Sequence, residues 1–237
     1  MTFRKLFTAL PWLLIALPGF SQQQLSVAVT TRLDSVTMCP GRERYFGELY
    51  LQTTRLTDTY IEALPEQGKR LMKKLEESFV TYFLSAIHAN NGGMEIPEEW
   101  KNYFSGALSP LQLKLMGANA HINGDIWQAL TDNFSAGEIG QVKPFYKKYN
   151  KYIGRSFDVL FQSAIRSDKR LHHLHLITLG FDKLYGRLML KKWRNRQLRL
   201  AILKFEHPNR FVAMKKRIYK KRNRIDKMII RRLHANE

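Results

Sequence analysis

The sequence predicts an all-α protein, a single-domain helical bundle that ends in a basic C-terminal helix. Three observations support this class. Apolar residues recur every three to four positions in several long segments, alternation with a period of two is scarce, and Pro and Gly fall between the segments, where helices end. With 237 residues, of which 44% are hydrophobic, the chain can bury a substantial core.

Residues 1–21 are typical of a secretory signal peptide. Arg4 and Lys5 form a short positive segment, and the apolar run LFTALPWLLIALPGF follows it. This run is shorter than the ~20 apolar residues of a membrane span. Small residues at Gly19 and Ser21 fit cleavage directly after Ser21. We therefore expect an exported protein, either periplasmic or secreted.

Residues 22–44 are expected to form a mixed polar lead-in segment with an extended or loop conformation, because the segment is mixed polar up to the tripeptide CPG at residues 39–41. Cys39 is the only cysteine in the sequence, so the chain cannot form an internal disulfide. The bundle domain is predicted over residues 45–204.

Two long amphipathic helices open the bundle, GRERYFGELYLQTTRLTDTYIEAL and KRLMKKLEESFVTYFLSAIHA. Pro65 and Gly68 separate them, and NNGGMEIP ends the second. The segment IPEEWKNYFSGAL is expected to be a short helix or a loop. Ser109 and Pro110 then begin the next helix, since proline suits a first helical turn. Further helices are expected at about 140–165, 168–204 and 208–233.

The stretch GANAHINGD, residues 117–125, carries more short polar side chains than an amphipathic helix needs. His121 and Asp125 are four residues apart and share a helix face, so they could hold one metal ion. Asn119 and Asn123 lie about 160° away on an ideal helix. All four converge only if the helix is irregular, which the glycines of the stretch would permit. A hydrogen-bonded pair that ties this helix to a neighbour is the alternative interpretation.

The motif also resembles a known family. SPLQLKLMGANAHINGDIWQAL carries an Asn-Ala-His-Ile-Asn-x-Asp run after Pro-Leu-Gln and resembles the signature of an uncharacterised bacterial family, known only as a domain of unknown function. The resemblance covers residues 45–202 and includes four further segments: YFGELYLQTT, LEESFVTYFLSAI, PFYKKYNKYI and GRLMLKKWRNRQLRLAI. It implies a helical fold and a shared polar site, but no activity.

A more distant resemblance implies zinc. HINGDIWQAL is similar to the His-x-x-Gly-Asp-x-His-Gln-Pro run of the zinc-dependent phospholipase C and P1 nuclease class, which implies that His121 and Asp125 bind the metal. The sequence departs from that pattern at Trp127 and Ala129, where the class has His and Pro. That class also uses an N-terminal Trp as a ligand, whereas cleavage here exposes Gln22. We therefore expect at most one divalent metal ion, with zinc preferred.

Further ligands for such a metal would have to come from other helices of the bundle. The candidates are His88, His172, His173, His175, Glu48, Glu76, Glu77, Asp158 and Asp182. For His88 the alternative is a favourable interaction with the dipole at the C-terminal end of its helix, and for the cluster of three histidines it is a solvated or packed role.

The positive charge is concentrated near the C-terminus. Residues 183–232 contain nineteen Lys and Arg and two acids, which gives +17 of the total +19. Residues 205–237 are predicted to include a basic amphipathic helix, which could pack on the bundle, bind anionic lipid or an envelope polymer, or bind nucleic acid. Export makes nucleic acid the less favoured partner. The predicted apolar stripe consists of Phe211, Met214, Ile218, Ile225, Met228 and Ile229.

Two functional hypotheses follow. In the first, the protein is a metal-dependent hydrolase, for instance of a phosphoester, in which a metal on His121 and Asp125 activates water. Asn119 and Asn123 would be its catalytic residues and would orient the substrate. In the second, it is a non-catalytic envelope-associated protein whose polar run is structural and whose basic tail binds anionic surfaces.

Overall fold

The computed structural model describes residues 22–167 and 181–233 of the chain. Every regular element in this part is a helix, which confirms the all-α class. The predicted signal peptide lies outside the described residues. In chain order the elements are α1 Gln22–Thr37, α2 Glu43–Glu62, α3 Glu66–Asn91, α4 Lys101–Phe104, α5 Pro110–Ala120, a π-helical turn His121–Asp125, α6 Ile126–Asn133, α7 Ala136–Ser167, α8 Phe181–Glu206 and α9 Pro208–Leu233.

The prediction that the lead-in segment is extended or a loop is wrong for most of its length, because it forms α1. Val29, Leu33 and Val36 recur at helical spacing and are buried against the core. The helix packs against α2 and α3. Its Val and Thr residues have low helix propensity, so packing of this apolar stripe stabilises α1 more than local preference does.

The start of α5 agrees with the prediction from Ser109 and Pro110. The Ser109 Oγ accepts a hydrogen bond from the Gln112 backbone N–H at 3.4 Å, and the Gln112 Oε1 accepts one from the Ser109 backbone N–H at 2.8 Å. This capping box satisfies two backbone donors at the helix start. It therefore fixes the register of the segment that follows.

The helix that carries the polar stretch lies at the centre of the bundle. It runs from α5 through the π-helical turn into α6, and it contacts α2, α3, α8 and α9 along its length. The core around it is rich in aromatic rings, including Phe46, Phe83 and Trp100. The polar side chains of residues 117–125 therefore face protein on several sides.

Helix α9 lies where the basic helix was predicted, at 208–233, and its inner face is docked on α5 and α8. Ile218 and Ile229 are buried, whereas Met228 of the predicted apolar stripe points outward and is 48% exposed. Two charged residues, Arg222 and Asp226, are also on the buried face. None of the helices within residues 22–167 and 181–233 has a stretch long and apolar enough to span a membrane.

Candidate functional site

The polar stretch forms an irregular turn in the middle of a long helix. Residues His121–Asp125 are π-helical, between α5 and α6. Such π-turns inside α-helices are frequent at functional sites, because they change the direction in which side chains project. The helix is therefore irregular within this stretch, which the glycines of the stretch were expected to permit.

Two glycines allow this helix to approach its neighbours closely. A Cβ atom at Gly117 would lie 2.4 Å from the Phe46 Cγ, and one at Gly124 would lie 2.2 Å from the Glu99 Cγ. Neither position can hold a larger residue unless the neighbour moves. The glycines are thus needed for close packing of α5 and the π-turn.

The two asparagines of the stretch belong to a network that we call the polar seam, formed by Asn102, Asn119, Asn123, Arg222 and Asp226. The Asn119 Nδ2 donates to the Arg222 carbonyl at 3.0 Å and to the Asp226 Oδ1 at 2.7 Å. The Asn123 Nδ2 donates to the Asn119 Oδ1 at 2.8 Å, and the Asn102 Nδ2 donates to the Asp226 Oδ2 at 2.8 Å. The seam therefore ties the π-turn and the chain before α5 to α9.

Asp125 faces a different partner, the indole of Trp100. The Trp100 Nε1 lies 3.2 Å from both carboxylate oxygens of Asp125, and both side chains are buried. Burial and the nearby charge of Glu99 raise the pKa of Asp125 well above its usual value, against the lowering effect of the Trp100 hydrogen bond. Its environment thus favours the neutral carboxyl group.

His121 lies beside Asp125 but among aromatic rings. Its Nδ1 is 3.4 Å from the Asp125 Oδ2 and makes no hydrogen bond to the described residues. Its ring packs against Tyr50 at 4.8 Å and Phe79 at 5.3 Å between centroids. Burial, together with the positive charge of Arg194, lowers the pKa of His121 to about 3. The imidazole is therefore neutral at physiological pH.

His121 also lines an internal cavity of about 270 Å³ between α2, α3, α5, the π-turn, α7 and α8. Most of its wall is apolar. Leu115, at the rim, is 37% exposed, and Ile122 and Leu190 there are half-buried. The main apolar wall residues are Phe46, Leu49, Phe79, Ile122, Ile153 and Leu190.

Four buried polar atoms of the lining residues have no hydrogen-bond partner among the described residues. They are the Tyr50 hydroxyl, the Thr54 Oγ1, the His121 Nδ1 and the Arg194 Nη2. A buried donor or acceptor without a partner costs about 1–3 kcal/mol. All four belong to side chains that line one apolar space, where a bound group could satisfy them.

Arg194 is the one cation among these groups, and it is 4% exposed. Its Nε donates to the Asn150 Oδ1 at 2.6 Å, and its guanidinium lies over the rings of Tyr146 at 5.4 Å and Tyr149 at 5.3 Å. Within the described part of the chain it makes no ion pair. Among the described residues, neutral dipoles and aromatic faces surround its charge.

Glu76 supplies a carboxyl group to the same cavity. It accepts a hydrogen bond from the Thr57 Oγ1 at 3.2 Å. Burial, followed by the charge of Asp58, raises the pKa of Glu76 to about 8, whereas Lys73 acts in the opposite direction. Glu76 is therefore mostly protonated at neutral pH.

The raised pKa of Glu76 predicts how the free energy of unfolding depends on pH. The folded protein binds a proton at Glu76 up to pH of about 8, whereas the unfolded chain releases it near 4.5, so the free energy of unfolding falls as pH rises through that window. Glu76→Gln should reduce this fall by an amount on the order of a few kcal/mol between pH 5 and pH 9. Urea denaturation at pH 5, 7 and 9 measures it.

The exposed Glu95 provides the control, because Glu95→Gln removes a carboxylate from solvent and should leave the pH profile unchanged. Parallel profiles for the wild type and Glu76→Gln would show that Glu76 ionises normally. That result would contradict the neutral carboxyl group placed in the cavity.

The four predicted site residues thus separate. Asn119 and Asn123 join the polar seam, Asp125 meets Trp100, and His121 alone lines the cavity. Of the further candidates, Glu76 lines the cavity. Glu48 pairs with Lys114 and Glu77 with Arg32, and His88 is exposed in the last turn of α3. The candidates outside the described side chains are His172, His173, His175, Asp158 and Asp182.

The described residues do not fit a metal centre. No group of three or more His, Cys, Asp or Glu side chains within residues 22–167 and 181–233 could hold a metal ion. Both oxygens of Asp125 face an indole N–H, and the neighbours of His121 are aromatic rings. The zinc ion stays a prediction that these contacts do not support.

Sequence reasoning missed Arg194 and Asp226. Arg194 lies in the segment KKWRNR, where nothing separates it from the exposed cations around it, and Asp226 lies within the basic tail. A weak signal did exist for Asp226, since it is the only acid within α9. The position of Arg194 in the cavity lining becomes visible only in the structure, where α8 packs on α7.

Comparison with known proteins places the chain in a family. The model described as "Family of unknown function (DUF5995)" matches residues 28–231, so the chain belongs to this family. The match covers more than the predicted 45–202 and includes most of α9. Membership of an uncharacterised family is confirmed, while the signature role of the motif and the similarity to the zinc-dependent class stay predictions. No curated protein and no solved structure matches the chain.

Proposed function

We propose that this protein binds a small, largely apolar molecule in the cavity beside the π-turn. The observation that carries the proposal is the combination of an apolar wall with four buried polar atoms that have no partner among the described residues. An apolar pocket with a few convergent polar groups is the usual form of a small-molecule site. A ligand would satisfy those atoms and gain burial of its apolar surface.

The size of the cavity limits the ligand. A cavity of about 150 Å³ accommodates benzene. About 270 Å³ suits a ligand of roughly ten to twelve non-hydrogen atoms. The half-exposed rim at Leu115, Ile122 and Leu190 gives such a molecule a route of entry.

Phenylbutanol and phenylbutyrate have this size and tolerate aqueous titration. We expect at least one of them to bind the wild-type protein in isothermal titration calorimetry. Ala118 lies half-buried on the cavity wall, so Ala118→Phe should fill the space and abolish the binding. The matched control is Ala213→Phe, an exposed position of α9 where the same change should have no effect. Equal binding by both variants would place the ligand elsewhere and refute the proposal.

The hydrolase hypothesis makes a separate prediction. A metal-dependent phosphoesterase on His121 and Asp125 requires near-stoichiometric metal that both His121→Ala and Asp125→Ala lose. Because the described contacts of both residues do not fit a metal centre, we expect elemental mass spectrometry of the purified protein to find no stoichiometric transition metal. One zinc ion per chain, lost in both variants while they remain folded, would reverse this assignment.

The exposed face of α9 supports a second function, binding to an anionic lipid surface. Six exposed cations fall within roughly 100° of the helix circumference, and the only acid of the helix, Asp226, is buried on the opposite side. Such a face attracts acidic lipid headgroups. The six cations are Lys216, Arg217, Lys220, Arg224, Lys227 and Arg231.

Co-sedimentation with vesicles tests this second function. We expect binding to vesicles that contain phosphatidylglycerol, weakening with added salt, and none to vesicles of phosphatidylcholine alone. Lys216→Glu with Lys220→Glu should reduce it, whereas Lys143→Glu with Lys147→Glu, at exposed positions of α7, should not. Binding to duplex DNA but not to acidic vesicles would instead favour nucleic acid as the partner.

A further inference from the structure

We infer that the cavity selects a monoanionic amphiphile, a carboxylate on an apolar body, whose head group pairs with Arg194. This inference rests on the proposed binding function and names the class of ligand. It follows from where the charges and donors around the cavity lie.

The lining of the cavity is rich in hydrogen-bond donors. The Arg194 Nη2 is buried and has no partner among the described residues, although the Nε of the same group is held by Asn150. The Tyr50 and Thr54 hydroxyls are likewise buried and free of partners in the described part of the chain. A carboxylate accepts up to about four hydrogen bonds through two oxygens, so one head group could take donors from all three side chains.

The other titratable groups of the lining do not oppose an anion. His121 on the π-turn is neutral, Tyr149 on α7 keeps its proton because burial raises its pKa, and Glu76 on α3 is mostly protonated below its pKa of about 8. Asp125 is not among the residues that line the cavity, and its carboxyl group faces Trp100. Arg194, on α8, is then the dominant charge that a ligand head group meets.

A buried cation without a counter-ion is costly, and an anionic ligand offsets that cost. A hydrogen bond to a charged group contributes about 1.5–3 kcal/mol, equivalent to roughly tenfold to a hundredfold in affinity. An amine would place a second cation beside Arg194. The apolar walls at Phe46, Ile122 and Leu190 then hold the body of the ligand, with its far end toward the rim.

Three ligands that share a phenylbutyl skeleton separate the contribution of the head group from that of the apolar body. They are phenylbutyrate, phenylbutanol and phenylbutylamine. In titration calorimetry at pH 7 with the wild-type protein, we expect phenylbutyrate to bind roughly tenfold or more tightly than phenylbutanol, and phenylbutylamine to bind weakest. Arg194→Met should remove the preference for the acid over the alcohol, and Arg194→Lys should restore part of it, because a lysine keeps the charge without the fork of donors.

The wild-type series decides the question even if the Arg194 variants fail to fold. Binding of phenylbutanol as tightly as phenylbutyrate would overturn the inference on the head group and leave the binding function intact. Binding of none of the three would overturn the proposed function itself, and the inference with it. Tightest binding by phenylbutylamine would show that Glu76 is ionised, and would also overturn the inference.

Discussion

Replacement of Trp100 by alanine is expected to lower the free energy of unfolding by about 3–5 kcal/mol. Trp100 is fully buried and packs against Phe83 at 5.1 Å, Tyr103 at 5.4 Å and Phe46 at 5.6 Å between ring centroids. Removal of its side chain leaves a large cavity, and Asp125 loses its indole donor. Urea denaturation of the two proteins measures the difference.

Two further variants separate packing from hydrogen bonding. Trp100→Phe retains most of the ring contacts and removes the N–H, so it should cost about 1–3 kcal/mol. Phe205 is an exposed aromatic residue, and Phe205→Ala should change stability by less than about 1 kcal/mol. A cost for Trp100→Ala as small as that for Phe205→Ala would contradict the packing described around α4 and the π-turn.

Replacement of Asn119 by alanine is expected to cost about 2–4 kcal/mol, because three hydrogen bonds of the polar seam are lost together. The change leaves the Asp226 Oδ1 and the Asn123 Nδ2 without their partners inside the bundle. If Asn119 acts structurally, the variant unfolds at lower urea concentration and retains ligand binding to whatever extent it remains folded.

The control for Asn119 is Asn90, which is exposed near the end of α3 and bonds only its neighbour Asn91 among the described residues. Asn90→Ala should be nearly neutral. A double-mutant cycle of Asn119→Ala with Asp226→Asn should show coupling of about 0.5–3 kcal/mol, because the two residues share a hydrogen bond. Additive effects would mean that the seam does not hold α9 to the π-turn.

The seam and the cavity give the polar stretch two structural roles. Asn119 and Asn123 face α9, and His121 faces the space between α2 and α8. One irregular turn therefore fastens the C-terminal helix and also forms part of the cavity wall. Because the turn is π-helical, side chains that are close in the sequence project toward both α9 and the cavity.

Local sequence signals were sufficient for much of the fold. The apolar period of α2 and α3, the capping residues Ser109 and Pro110, and the basic segment of α9 all predicted helices that the structure contains. Helix α1 was missed because Val and Thr favour extended structure locally, and the CPG tripeptide suggested a loop. Its buried stripe of Val29, Leu33 and Val36 was visible in the sequence but short.

The site could be predicted only in part, because its residues meet through packing between distant helices. The polar stretch marked the right turn, and Glu76 was named as a carboxyl group that could reach it. That His121 and Arg194, more than seventy residues apart in the sequence, line the same cavity depends on how α8 packs. Spacing within one helix suggested a shared site for four residues, whereas the structure directs them to different partners.

The most direct test of the binding function is a set of intermolecular nuclear Overhauser effects between phenylbutyrate and the protein in solution. We expect contacts from the phenyl protons to Phe46, Ile122 and Leu190, and from the methylene beside the carboxylate to Tyr50, all of them lost in Ala118→Phe. Contacts confined to Val212 and Met228 on the exposed face of α9, unchanged in Ala118→Phe, would show that the cavity is not the binding site.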